Sequence, residues 1–148
     1  MAIRSHITAS PSHQQLGIAI IRIVVGLVFT VHGAQKLFVY GFAGVTGAFA
    51  QMGIPLPGLA GPLVALVEFF GGLALIIGLL SRLAALGLAI EMLGAILLVH
   101  LAGGFFLPAG YEFALTLCVA SLGLALAGPG ALSIDGAIAS RGAGRGAL

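Results

Sequence analysis

Arg22, His32, Lys36, Glu68, Glu91 and Glu112 each lie inside a run of otherwise apolar residues. Their types suit proton and hydrogen-bond chemistry. Lys36 and His32 can donate to a carbonyl oxygen, and Glu68 or Glu112 can accept or deliver a proton. A quinone headgroup needs that combination together with an apolar slot, which Phe38, Phe42, Phe49, Phe69 and Phe70 could line. Gln35 and Tyr111 fall close to the same depth. The expected ligand pocket is therefore His32, Lys36, Glu68, Glu112 and Tyr111. The same residues also suit an interhelical salt-bridge network with no ligand. Arg22 and Glu91 lie about one-third of the way in from the opposite side, counted along their helices. They are expected to form a buried ion pair that fixes helix register.

Other chemistry finds less support. His32 and His100 match in depth as a bis-histidine haem pair, but His100 falls about 180° from Glu91 on an ideal helix. Its expected face is away from the bundle, which speaks against haem. No histidine or carboxylate spacing suggests a metal site. The single cysteine, Cys118, excludes an internal disulfide and a CxxC dithiol, and no CxxCH site exists for covalent haem. It reads as a small packing residue. His6 and His13 stand in a polar tail. Intramembrane acids can relay protons, which keeps a small transporter open, although no inverted repeat or broken helix pair is visible.

The elements that must position these groups are membrane helices. The chain has 148 residues, 60% hydrophobic and 7% charged. Soluble domains carry roughly 25% charged residues, so this chain has too few to wet a surface. Its net charge is +2, with basic residues scattered, unlike the clustered footprint of a nucleic-acid binder. Four apolar stretches, Leu16–Leu37, Ala60–Leu80, Leu83–Leu101 and Tyr111–Gly128, approach the ~20 residues that cross a bilayer. The first is too long for the apolar core of a signal peptide, and no small-x-small site closes it. Between the first two, Phe42, Val45, Phe49 and Met52 recur at helical spacing before Gly53 and Pro55. A short helix in the membrane interface or over the bundle mouth is predicted there.

The predicted fold is all-α: a polytopic membrane four-helix bundle with that interfacial helix after the first span. Residues 1–15 form a polar tail, 16–128 the transmembrane domain and 129–148 a C-terminal tail. The Ser81-Arg82 turn makes the second and third spans antiparallel neighbours. Arg4, Arg82, Arg141 and Arg145 fall on one side and Lys36 on the other. The positive-inside rule then places both termini in the cytoplasm of a bacterial inner membrane.

Charges in a bilayer face protein or water because lipid exposure costs ~2.5–3.5 kcal/mol each on insertion scales. Helical geometry agrees: Arg22, Gly26, Phe29, Gly33 and Lys36 share one stripe, with His32 at its edge. Glu68 aligns with Gly71 and Gly78, Glu91 with Ala84, Gly87 and Gly94, and Glu112 with Thr116 and Gly123. Small residues mark close packing between membrane helices, so each charged residue is expected on an inward face. Ala74 and Ala85, expected on outward faces, would allow close approach of a partner subunit.

Arg22…Gly26…His32-Gly33…Lys36 resembles the first helix of the DoxX family of bacterial membrane proteins. Met52-Gly53-Ile54-Pro55, Glu68-x-x-Gly71-Gly72 with Gly78 and Arg82, and Tyr111-Glu112-Phe113-Ala114-Leu115 continue the resemblance. Gly128-Pro129-Gly130-Ala131-Leu132-Ser133-Ile134-Asp135 completes it, from about Gly17 to Ala137. The resemblance implies a four-helix membrane protein and an oxidoreductase subunit. Some relatives are linked to thiosulfate:quinone oxidoreductases and others to membrane redox complexes. A quinone-linked redox subunit is thus one expectation. A non-catalytic assembly subunit among other protein subunits is a second, and a proton pathway a third.

Overall fold

A computed structural model describes residues 10–145. Arg4, His6 and the rest of residues 1–9, with 146–148, lie outside the described residues. Every regular element among those described is helical.

Helix α1 (Pro11–Ala34) opens with Ser10, whose side chain accepts from the His13 amide, and with Pro11 in the first turn. Both are helix-start signals, and they begin the helix within the polar segment before Leu16. The helix runs on through a wide π-helical segment, Gln35–Tyr40. Gly41, at φ +66°, turns the chain into α2 (Gly41–Gln51). After Gly53 and Pro55 come α3 (Pro57–Ile77) and α4 (Ser81–Ala95). Helix α4 also widens into a π-helical segment, Ile96–His100. Helix α5 (Glu112–Ala127) and α6 (Ile134–Arg145) complete the fold.

Three helical stretches, Pro11–Gln51, Pro57–Ile77 and Ser81–Gly103, are long and apolar enough to cross a membrane. Helix α5 is equally apolar but has 16 residues, about 24 Å of helix. The outer face of the bundle carries Ile20, Val24, Leu27, Leu63, Leu83, Ile90, Val119 and Leu126, all exposed. A belt of this size suits hydrocarbon rather than water. The chain is an integral membrane protein.

Helix α1 packs chiefly on α3, α4 on α5, and α2 lies across α3. The α1–α3 contact is set by glycine. A Cβ at Gly26 would stand 2.7 Å from the Gly72 carbonyl oxygen, and one at Gly33 would stand 2.3 Å from the Phe69 amide nitrogen. Phe29, Leu75, Leu88, Met92, Leu117 and Leu124 fill the core between the helices.

The predicted faces hold for α1, where Arg22, Gly26, Phe29 and Gly33 are buried. On α3 the buried face holds Glu68 but runs through Gly72 and Leu75, with Gly71 beside it. On α4 the buried line is Ser81, Ala85, Leu88, Ala89 and Met92. Glu91 stands at its flank and, with Gly94, borders an interior cavity, as their inward face predicts, whereas Gly87 meets nothing within 4 Å. Ala85, expected to face outward, is fully buried. On α5 the interior takes Ala114, Leu117, Ser121 and Leu124, which leaves Thr116 exposed. The physical reason is shared by α4 and α5. Lipid and core are both apolar, so hydropathy carries no phase, and a small residue can face either.

Candidate functional site

The polar groups gather at the two ends of the bundle. One end is structural. Helix α3 ends on a left-handed Gly78, whose amide donates back to the Leu75 carbonyl at 3.2 Å, and helix termini leave carbonyls that need further donors. The buried Arg22 adds them. Its Nη1 donates to the carbonyls of Leu75 and Ile76, the latter at 3.0 Å. Its Nη2 donates to those of Ala131 and Leu132, at 3.1 and 2.8 Å. A cation at a helix C-terminus also meets the negative end of the helix dipole. The expected Arg22–Glu91 ion pair is therefore absent. Free carbonyls at a helix end compete for the guanidinium as a carboxylate would, and they are fixed beside it.

The same end holds Asp135, the last residue of the closing motif, to which the sequence reading gave no role. The Asp135 Oδ1 accepts from the Leu80 amide and Oδ2 from the Ser81 amide, both at 2.8 Å. These amides open α4, whose own N-cap residue, Leu80, offers no side-chain acceptor. Burial alone would push the Asp135 carboxyl up. The Ser81 and Leu80 amides and the Arg22 charge outweigh it and hold the pKa below the usual value. Arg82 repeats the C-terminal device, donating from Nη1 to the carbonyls of Ala125 and Leu126 near the end of α5. A sequence signal for Asp135 existed: an acidic residue in the first turn of a helix directly after a Pro-Gly stretch.

At the opposite end lies a cavity of about 590 Å³. Phe29 and His32 of α1 and Ala60, Val64 and Glu68 of α3 form one side of its lining. Glu91, Met92 and His100 come from α4 and its extension, and Phe113, Ala114 and Leu117 from α5. Phe49 of α2, then Met52 and Ile54, close it over. This size falls in the range of small-molecule sites, about 300–1,000 Å³.

The polar wall is built around an ion pair. Lys36 Nζ stands 2.5 Å from Glu68 Oε2, and the Glu68 side chain is 5% exposed. Glu91 shares this wall, and its carboxyl is near enough to that of Glu68 for the two to interact. Both Glu91 oxygens are buried, and neither meets a donor among the described residues. His32 Nδ1 lies 2.9 Å from the Val28 carbonyl oxygen. A carbonyl only accepts, so this assigns a proton to Nδ1. Its ring sits 6.1 Å from that of Phe113.

Of the expected pocket, His32, Lys36 and Glu68 line the cavity, while Glu112 and Tyr111 do not. Glu112 folds back to accept from the Leu107 amide at 2.8 Å, closing the loop before α5. Tyr111 packs its ring edge-on to Phe105. Of the expected aromatic slot, only Phe49 takes part. Phe38, Phe69 and Phe70 stack on one another instead. Glu91 and His100 belong to the wall, contrary to their expected places. The π-helical segment explains His100, because i→i+5 turns advance fewer degrees per residue and bring its side chain round. Lys36 lies in the other π-helical segment. No cluster of three metal-ligating side chains exists among the described residues.

The sequence model of the DoxX family matches residues 17–101. "Putative oxidoreductase CatD" of Bacillus subtilis is 32% identical over 122 residues, 82% of this chain and 86% of that protein. The uncharacterized membrane protein Rv3486 of Mycobacterium tuberculosis is 36% identical, over 82% of this chain and 80% of its own length. The inner membrane protein YqjF of Escherichia coli is 37% identical, over 82% of this chain and 92% of its own length. No solved structure matches the chain.

Proposed function

The chain belongs to the DoxX family of membrane proteins, and from that premise we propose that it is the quinone-holding membrane subunit of a redox system. The observation that carries this reading is the cavity itself. It is largely apolar, yet one wall presents a lysine paired with a glutamate and a second buried carboxyl. A quinone, when bound, supplies two-electron chemistry that takes up two protons. Lys36 would hold a carbonyl oxygen by a charged hydrogen bond. The Phe29, Phe49 and Phe113 rings would enclose the apolar ring and tail. Helix α2 would keep water from the polar wall. The buried Glu91 oxygens, which meet no donor among the described residues, support the reading, because buried polar groups ordinarily have a partner.

The chain carries a single cysteine, so no dithiol of its own can pass electrons. Reducing equivalents would come from a partner subunit, and one similar protein carries an oxidoreductase name. Arg82 and Arg141 at the Asp135 end support a cytoplasmic position for that end and for both termini. Two similar proteins of Escherichia coli, YqjF and YphA, are named as inner membrane proteins, which supports an inner-membrane position.

The test is direct titration of the purified protein with a short-tailed ubiquinone or menaquinone analogue. Saturable binding is expected, weakened in Lys36→Ala and Glu68→Gln. No binding, or binding that ignores both substitutions, would overturn the reading.

A further inference from the structure

The quinone reading takes Glu91 as a buried polar group in need of a partner and leaves its protonation open. A buried ionised carboxylate without a donor is among the costliest states in a protein interior. Both Glu91 oxygens are buried without a donor among the described residues, and Glu68 lines the same cavity, near enough for the two carboxyls to interact. Two carboxylates have only acceptor atoms, so their contact becomes a hydrogen bond only when a proton lies between them. The charge count points the same way. With Lys36 charged, one proton shared by Glu68 and Glu91 leaves the wall neutral, whereas two ionised carboxylates leave it with a net negative charge.

The other groups facing the site do not replace that proton. Lys36 is engaged with Glu68. His32 and His100 line the same cavity, and each Nδ1 is directed to a backbone carbonyl, Val28 and Ala109 respectively. Helix α2 carries no ionisable side chain. On α5, Glu112 is turned to the Leu107 amide.

We propose that Glu91 and Glu68 share one proton, and that Glu91 offers it as a hydrogen bond to the oxygen of a neutral carbonyl-bearing or phenolic lipophile in the cavity. This rests on the quinone reading for its ligand, and it narrows the ligand class. A neutral oxygen acceptor completes the wall. An anion such as thiosulfate would meet two carboxyl groups and a lysine already neutralised, so it is excluded as a ligand of this cavity.

Infrared difference spectroscopy of the full chain in detergent tests the proton separately from ligand binding. A protonated-carboxyl carbonyl band is expected in the wild type at neutral pH. Glu91→Gln should lose it, and so should Glu68→Gln, which leaves one carboxyl beside one lysine. Adding a short-tailed ubiquinone analogue should shift the band. In parallel titrations, wild-type affinity should fall as pH rises far enough to remove the proton. Glu91→Gln, whose amide still donates, should bind with no pH dependence. Glu91→Ala should bind about tenfold more weakly, the scale of one buried oxygen left unpaired. Thiosulfate should neither shift the band nor compete.

Absence of the band overturns the proposal whether or not the quinone binds. So does a band that survives Glu91→Gln, or one that does not respond while the quinone binds. A band that disappears in Glu91→Gln, in a protein that binds no quinone, overturns the ligand role and the quinone reading together. In that case the shared proton alone stands.

Discussion

Lys36 and Glu68 meet at 2.5 Å across the α1–α3 interface, with the Glu68 side chain almost wholly buried. This is the only salt bridge among the described residues, and it joins the two helices that pack most extensively. Breaking a buried pair by removing one partner costs about 3–5 kcal/mol, whereas replacing both with apolar groups is often neutral. Lys36→Met is therefore expected to lower thermal stability in detergent sharply. Lys36→Met with Glu68→Leu should recover most of the loss and still fail to bind the quinone analogue. A double variant as unstable as the single one would show that the pair is not the source of the loss.

The glycine contact gives a second expectation. Gly33→Ala places a Cβ against the Phe69 backbone, which cannot move aside as a flexible side chain would. Overpacking of this kind costs about 1–3 kcal/mol. Gly87→Ala meets nothing within 4 Å and should leave the melting temperature unchanged or raised. Equal melting temperatures for the two variants would contradict the close approach of α1 and α3.

Asp135 caps α4 from a distant part of the chain, and loss of a cap costs about 0.5–2 kcal/mol. Asp135→Ala should destabilise by that amount, measured by thermal or denaturant unfolding. Its folded pKa lies below the ordinary 3.8. The sign follows: the contribution is present above 3.8 and is lost as pH falls through the lower, folded value. The wild type should therefore lose its advantage over Asp135→Ala only in that acidic window. An advantage that disappears near neutral pH would point to another group.

Arg22 serves two pairs of carbonyls at once, which a planar guanidinium can do and a single ammonium cannot. Arg22→Lys should therefore cost at least about 2 kcal/mol, the scale of one lost charged hydrogen bond. Glu91→Gln should leave that end of the bundle unaffected. Limited proteolysis after Gly128 reads the difference, with faster cleavage expected in Arg22→Lys alone.

The helices, their order and the covering helix α2 were legible because apolar length and helical spacing are properties of neighbouring residues. The inward face of α1 was legible too, since Gly26, Gly33, Arg22 and Lys36 reinforce one another. Lys36 and Glu68 could be assigned to one pocket from depth alone. His100 could not be placed, because the π-helical segment Ile96–His100 changes the rotation and leaves no signature in hydropathy. Glu91 precedes that segment, and counting depth along separate helices put it beside Arg22 instead of at the cavity wall. Glu112 was misplaced for a different reason. A carboxylate at the start of a helix has unpaired loop amides within reach, and Leu107 supplied one. The Arg22–Glu91 pairing failed because depth matches charges to charges and ignores the carbonyls of Leu75, Ile76, Ala131 and Leu132, which take the guanidinium instead.

The cap supplied by Asp135 also has a consequence for the order of assembly. Proteins are made from the N-terminus, and early segments begin to fold first. The α3–α4 hairpin is thus complete in sequence long before the residue that satisfies its turn has been made. Arg22 waits for the same stretch, since two of its four carbonyl partners are Ala131 and Leu132. This late-synthesised stretch, Ala131 to Asp135, therefore acts as a latch on the first helix and the middle hairpin together. A chain released short of Asp135 would keep its apolar spans and lack the closure that holds their ends in register.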